Sequence, residues 1–326
     1  MLLRLLTVAR RAATPVAAAA TVAAASYATV VTTAPSFSEP SSTSTHSVAA
    51  AAHGSTLNNL LSRVVALERR LIREERSPKY VVVSPTFYPN LDDVRLQLGL
   101  EACRKAKALG VPLLLVDASP PEVRAALEEA GAVVHVQTAK GRKGAALREC
   151  IQLAHSVLPP DGVVCFQELE KVEMVGLQHK VAAHIARTGC DVCVPKRADG
   201  AFKATYPIEQ YHQENFANLY LNTLGVQAGL PDGIDWTFGP TGFRASAARH
   251  WLQCEGELWD AQIVPFVHAA RWHAAHVTVL ELDYMHPPAM KVEEEGVAKW
   301  GEKRLDQLNF LFKHVGGALK QSTPPE

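Results

Sequence analysis

The chain has 326 residues, 48% hydrophobic and 20% charged, which suits one large or two modest globular domains and excludes a disordered or fibrous chain. Basic and acidic residues balance at 33 each, so no global charge favours a polyanion, which argues against a dedicated nucleic-acid binder.

That balance conceals an N-terminal asymmetry. Residues 1–38 carry Arg4, Arg10 and Arg11, no acid, and much Ala, Ser and Thr. This is the composition of an organelle transit peptide, with mitochondrion ahead of plastid as destination. A secretory signal or membrane anchor is the rival reading. However, Pro15 interrupts the Ala-rich stretch, Ala and Thr contribute little transfer energy, and a spanning helix needs roughly 20 strongly apolar residues. No transmembrane helix is expected. Residues 39–56, rich in Ser, Thr, Pro and Ala, predict a disordered linker. Within 57–77, Leu60, Val64, Leu67 and Leu71 repeat at helical spacing between charges, predicting an amphipathic helix. Its apolar seam suits packing on its own domain or a homo-oligomer through residues 57–76.

The folded domain is expected over 78–320, with the regular pattern in 78–198 and a looser one in 199–320. YVVVSP is a continuous apolar run, as in a strand buried on both faces. A helix over 92–109, opened by Asn90 or Asp92, stops at Gly110. VPLLLVDAS, AVVHVQT, DGVVCFQELEK and DVCVPKR read as further strands, separated by helices in PPEVRAALEEA, KGAALRECIQLAHSVL and 172–187. Strands alternating with helices dictate an α/β fold with a mostly parallel open sheet flanked by helices. Beyond Lys196 the pattern loosens: a helix in IEQYHQENFANLYLNTLG, a loop in GLPDGIDWTFGPTGFR, a helix near 258–273, a strand HVTVLELDY and a last helix near 300–319. The six cysteines sit mostly in apolar runs, and the CxxC of Cys190 and Cys193 lacks a second ligand pair, so these thiols read as small core residues.

In open parallel sheets ligands bind beyond the carboxyl ends of the strands. Those ends carry Ser84, Pro85 and Thr86; Asp117 and Ser119; the basic loop KGRKGAALR with Arg142 and Lys143; and Gln167, Glu168, Glu170 and Lys171. No GxGxxG follows the first strand and no GxxxxGK[ST] occurs, which disfavours dinucleotide and P-loop binding. Lysines and glycines before a helix N-terminus suit an anion. Glu168 and Glu170, at i and i+2 after a buried strand, point to one side and suit Mg²⁺ or Mn²⁺ bridging phosphates. Asp232 and Asp235 read as turn formers beside Trp236 and Phe238, whose rings offer a stacking face for a sugar.

This order of motifs resembles the family 2-type glycosyltransferases of GT-A fold, over about residues 79–290. VVVSPTFYPN is similar to the family's opening strand and donor loop, LLLVDAS to its second strand, and KGRKGAALREC to its phosphate-side segment. FQELEK takes the place of the DxD motif with Glu for Asp twice, GPTGFRASA that of the acceptor loop, and GELWDAQIV that of the ED motif. The resemblance implies a GT-A-like fold with a nucleotide-binding half at 78–198 and an acceptor half at 199–320, and transfer of a sugar from a nucleotide-diphosphate sugar to an acceptor hydroxyl, with inversion. It implies donor binding by Pro85, Thr86, Asp117, Arg142, Lys143, Glu168 and Lys171, and acceptor binding by Trp236, Gly242 and Arg244. Asp260 becomes the general base, Asp235 its substitute, and Glu168, Glu170 and His286 the ligands of Mg²⁺ or Mn²⁺. The alternatives are a catalytically silent nucleotide-binding or scaffold protein, and a nucleotidyltransferase, whose Gly-rich first loop SPTFYPN does not supply.

Overall fold

A computed structural model describes residues 78–139 and 142–324. The transit segment, the linker, the 57–77 helix, and Lys140 and Gly141 of the basic loop lie outside the described residues. Among the described residues, no helix is long and apolar enough to cross a membrane.

Seven strands form one sheet in the order β3-β2-β1-β4-β6-β5-β7. These are β1 (Tyr80–Thr86), β2 (Leu113–Asp117), β3 (Val133–Val136), β4 (Val163–Phe166), β5 (Val192–Arg197), β6 (Thr241–Arg244) and β7 (Val277–Leu282). All pairings are parallel except those of β6, which runs antiparallel between β4 and β5. The architecture is the helix-flanked, mostly parallel α/β sheet that a GT-A-like fold requires.

The apolar runs are continuous because both faces of the sheet are covered. On one face Val82, Leu115, Cys165 and Cys193 pack against α1 (Val94–Leu109), α2 (Pro121–Glu129) and α4 (Val172–Thr188). On the other, Val83, Val116, Phe166 and Val194 meet α3 (Lys143–Val157), α8 (Asp260–His273) and α10 (Ala298–Lys320). Alternation of neighbours such as Val82 and Val83 between two cores is the period-2 geometry of a strand. Cys190 and Cys193 are buried, and burial pushes the Cys193 thiol well up, as expected of core thiols.

The structure departs from the sequence expectations at three places. α1 is capped by Asp93, whose Oδ1 accepts from the amides of Arg95 (2.7 Å) and Leu96 (3.4 Å), rather than by Asn90 or Asp92. GPTGFR, expected as loop, contains β6, too short to stand out in a Gly-rich stretch. The short helices α5 (Asp199–Thr205), α7 (Arg249–Leu252) and α9 (Pro288–Glu294) were hidden by their length, while α6 (Ile208–Gln227) matches expectation. The sheet is mostly parallel, as expected, with β6 its antiparallel member.

Candidate active site

A cleft opens beyond the carboxyl ends of β1, β2, β3 and β4. Its first cavity, about 430 Å³, is floored by Pro85, Thr86, Ala118 and Gln137 and walled by Arg142, Lys143 and Ala146 of α3. Arg95 of α1 and the post-β4 residues Glu168 and Glu170 close it, and the exposed ring of Phe87 stands at its side. A second cavity of about 290 Å³ shares Arg95, Lys143 and Glu168 with the first, and adds Lys171, Thr237, Gly239, Trp259, Gln262 and Lys303. The two adjoin at the Lys143–Glu168 pair.

Asp117 shapes this floor from behind it. The side chain is fully buried, and its oxygens accept from Thr86 Oγ1 (2.6 Å), Ser119 N (2.8 Å) and Ser119 Oγ (2.9 Å). Ser119 Oγ in turn accepts from the amide of Tyr88 at 2.8 Å. The carboxylate therefore ties the loop after β1 to the loop after β2, and lines neither of these two cavities. Its expected direct contact with a nucleoside is corrected to a positioning role.

The N-terminus of α3 was expected to present amides to a phosphate. Its own protein supplies the anion instead: Arg142 N donates to Glu257 Oε2 (3.1 Å) and Gly144 N to the Glu257 carbonyl (3.0 Å). A Cβ on Gly144 would lie 2.0 Å from the Gly256 carbonyl oxygen, so only glycine admits this approach. What α3 offers the cleft is side-chain charge, from Arg142 and Lys143.

Glu168 and Glu170 both line the first cavity, as their spacing suggested, but they do not share a partner. Glu168 is held by Lys143 Nζ at 3.1 Å and Lys171 Nζ at 3.3 Å. Burial would raise its pKa, but Lys171 and then Lys143 outweigh that and bring it down to about 2. Glu170 pairs with the guanidinium of Arg95. Gly239, at φ 96, lays its backbone against Glu168, and a Cβ there would come within 2.8 Å of both carboxylate oxygens.

His286 does not join these glutamates. Its ring stacks on Tyr206 at 4.1 Å, and neither nitrogen has a hydrogen-bond partner. Burial, then the charges of Lys171 and Arg197, hold its pKa down at about 3. Among the described residues, no three His, Cys, Asp or Glu side chains gather closely enough to hold a metal ion. The expected Glu168–Glu170–His286 ligand set for Mg²⁺ or Mn²⁺ is thus not assembled: cations occupy both carboxylates and an aromatic face occupies the imidazole.

Neither expected base faces the cleft. Asp260 Oδ1 accepts from the amides of Leu258 (2.8 Å) and Ala261 (3.1 Å), closing the first turn of α8, and Oδ2 lies 3.8 Å from His314 Nδ1. Its neighbours Trp259 and Gln262 line the second cavity, and Asp260 does not. Asp235 is bound in a buried fork, with Arg197 Nε and Nη2 each 2.7 Å from its oxygens and Asn218 Nδ2 at 2.9 Å. Burial opposes ionisation, but Arg197 outweighs it and holds the carboxyl below its usual range.

The acceptor-side expectations are corrected too. Trp236 borders the second cavity, but its ring is only 2% exposed and stacks on Phe266, so it is core and not a sugar platform. Phe238 is buried likewise. Gly242 sits inside β6, where Val181 covers it, and Arg244 pairs in register with Val163 at the opposite end of the sheet, donating to the Cys190 carbonyl. β6 runs antiparallel, which carries this motif away from the cleft.

Pro85, Thr86, Arg142, Lys143, Glu168 and Glu170 are brought together at the first cavity, and Lys171 at the second. Sequence reading passed over Phe87, Arg95, Gln137, Trp259, Gln262 and Lys303. Only Phe87 had a local signal, as an aromatic in the loop after a buried strand.

No protein-family model matches the chain, and neither does any of the curated proteins compared with it. Solved structures do resemble it. Glucosyl-3-phosphoglycerate synthase of Mycobacterium tuberculosis is similar at 13% identity and a TM-score of 0.49, over 77% of this chain and 83% of that one. The same enzyme in complex with Mn²⁺, uridine-diphosphate-glucose and phosphoglyceric acid gives 13% and 0.48, over 76% and 81%. Mannosyl-3-phosphoglycerate synthase from Rubrobacter xylanophilus gives 13% and 0.45, over 78% and 79%.

Proposed function

We propose that this chain is a glycosyltransferase that takes a sugar from a nucleotide-diphosphate sugar and passes it to an acceptor hydroxyl. The observation that carries the reading is the pair of adjoining cavities, of about 430 and 290 Å³, meeting at a cluster of cations beyond the carboxyl ends of the strands. Transfer between two substrates needs two compartments that meet where the bond is exchanged, since holding both in place is the larger part of such catalysis. The first cavity, with the exposed Phe87 beside Ala118 and Gln137, suits a nucleoside. The second, with Trp259, Thr237 and Gln262, suits a sugar and its acceptor. The cations between them suit a diphosphate.

In the reaction, the bond from the anomeric carbon to the diphosphate oxygen breaks and its electron pair stays on the diphosphate. The acceptor oxygen forms the new bond, and its proton is released to solvent. An inverting step through Asp260 forms no part of the proposal, because that carboxylate closes a helix turn elsewhere. Delivery to an organelle by residues 1–38 does belong to it, and a fluorescent fusion of residues 1–60 that stays in the cytosol would remove that element.

One observation favours a catalytically silent nucleotide-binding protein as the second reading. Each carboxylate on the cleft is in an ion pair: Glu168 with two lysines, Glu170 with Arg95, and Glu214 with Arg197. None is left as a general base. The deciding experiment incubates the full chain with uridine-, guanosine-, adenosine- and cytidine-diphosphate sugars, following melting temperature and release of free nucleoside diphosphate. A bound donor at ~100 times its Kd should stabilise by about 2.7 kcal/mol. Stabilisation with nucleotide release supports the transferase, stabilisation without release supports the silent binder, and neither effect refutes both.

A further inference from the structure

A divalent ion between two carboxylates is one way to neutralise a diphosphate, and side-chain cations are another. The cleft walls carry five cations, Arg95, Arg142, Lys143, Lys171 and Lys303, against three carboxylates, Glu168, Glu170 and Glu214. Glu214 is already in an ion pair with buried Arg197, whose Nη1 lies 2.7 Å from Oε2. Among the described residues, no carboxylate lies within ion-pair distance of the Arg142 guanidinium or the Lys303 ammonium; the latter lies over the ring of Trp300 at 4.4 Å. Five positive groups around one junction, two of them unpaired, repel one another until an anion enters.

The same arrangement resists a metal. To bind one, Glu168 would have to leave Lys143 at 3.1 Å and Lys171 at 3.3 Å, with both ammonium groups remaining beside the ion. The Gly239 backbone presses on that carboxylate from a further side. Glutamate at the position of a shorter aspartate gives the carboxylate one more methylene of reach, and here that reach ends between two lysines.

Resting on the glycosyltransferase reading, we propose that the diphosphate of the donor is neutralised by Arg142, Lys143, Lys171 and Lys303 without a divalent metal, and that Glu168 is the resident counter-ion which the diphosphate displaces. Glu168 then competes with the ligand instead of binding it. This reverses the sign of its expected mutational effect.

The test is titration calorimetry on the full chain, with inorganic pyrophosphate and with the four nucleoside diphosphates, once in EDTA and once with Mn²⁺. Affinity in EDTA should lie within about threefold of that with Mn²⁺. It should fall steeply with added salt, as interactions between exposed charges do. Lys143→Gln and Lys303→Gln should each weaken binding about tenfold or more, the scale of one charge-assisted hydrogen bond. Lys180→Gln, an exposed lysine on α4, should change nothing. Glu168→Gln should tighten binding in EDTA, because it releases two lysines. Thermal melts of each variant separate lost binding from lost folding. Binding that appears only with Mn²⁺, or that Glu168→Gln abolishes in a folded protein, overturns the proposal while leaving the glycosyltransferase reading standing. Binding of no diphosphate under either condition overturns both.

Discussion

Replacing Asp235 by Asn separates a structural carboxylate from a catalytic one. In the native protein the Arg197 side chain is 1% exposed and Asp235 holds it in a fork, with Nε to Oδ2 and Nη2 to Oδ1 both at 2.7 Å. Asn keeps the shape but removes the charge, and presents one NH₂ donor to a guanidinium that has only donors. Breaking a buried ion pair costs about 3–5 kcal/mol, because the surviving charge is stranded. Glu214 still faces Arg197 Nη1 at 2.7 Å, so the lower end, about 3 kcal/mol, is expected. For a folded domain of this size, each kcal/mol shifts Tm by roughly 2–4 °C, which predicts a fall of roughly 6–12 °C. Circular dichroism melts at neutral pH measure it directly. The pH dependence has a definite sign. The Asp235 carboxyl titrates lower in the folded protein than in the unfolded chain. Its contribution is therefore complete above the unfolded value of about 3.9 and is lost as pH falls through the folded value. The gap in Tm between wild type and variant should close over that acid range. An Asp235→Asn protein that melts with the wild type yet fails to transfer sugar would refute this reasoning and restore Asp235 as a base.

Three further outcomes are expected. Phe87→Ala should weaken binding of nucleoside diphosphates by roughly 5- to 150-fold, the range of one base–aromatic stack, while leaving inorganic pyrophosphate unaffected; equal loss for both probes would place the ring elsewhere. Gly144→Ala forces a Cβ to within 2.0 Å of the Gly256 carbonyl oxygen, and should destabilise by about 1–3 kcal/mol in urea titration, with α3 displaced from the cleft and diphosphate binding reduced. His286 titrates at about 3 in the folded protein against about 6.5 unfolded, so wild-type stability should decline as pH drops from 6.5 towards 3. His286→Gln should flatten that decline, and an unchanged slope would locate the acid sensitivity in other groups.

The strands were legible because burial on both faces leaves an unbroken apolar run, and the run in Tyr80–Thr86 or Leu113–Asp117 admits no other reading. Helices α1, α3 and α4 were legible from length and from their flanking turns. Element ends with side-chain chemistry were legible as places, so Thr86, Lys143, Glu168 and Glu170 do meet at one cavity. Their partners were not. Whether Glu168 faces a metal or two lysines depends on where α3 delivers Lys143, and no local spacing encodes that distance. The Gly- and aromatic-rich stretch 229–244 misled for a related reason. Such composition reads as a loop with ligand-facing rings, yet Trp236 and Phe238 turn inward and Thr241–Arg244 enters the sheet. Composition reports a turn; only the register of β6 with β4 reports its destination.

Lys303 shows what a sequence reading of this fold passes over. It lies on α10, more than 130 residues after Glu168 in the chain, in a helix whose visible pattern is that of an ordinary amphipathic cover for the sheet. α10 packs on α8 and α6, and this docking brings Lys303 and Gln307 to the wall of the second cavity, beside Lys143 and Lys171. The core contacts of Leu311, Val315 and Leu319 therefore act on the site through the position of the helix. A cluster assembled from α1, α3, the end of β4 and α10 has no signature in any single segment. Its charge is nonetheless fixed by packing, because an unpaired lysine kept beside other cations is tolerated only where the fold gains elsewhere or a ligand supplies the missing anion. Of the residues that line this cleft, those at the strand ends fix its place, and the cations on and before the helices determine its charge.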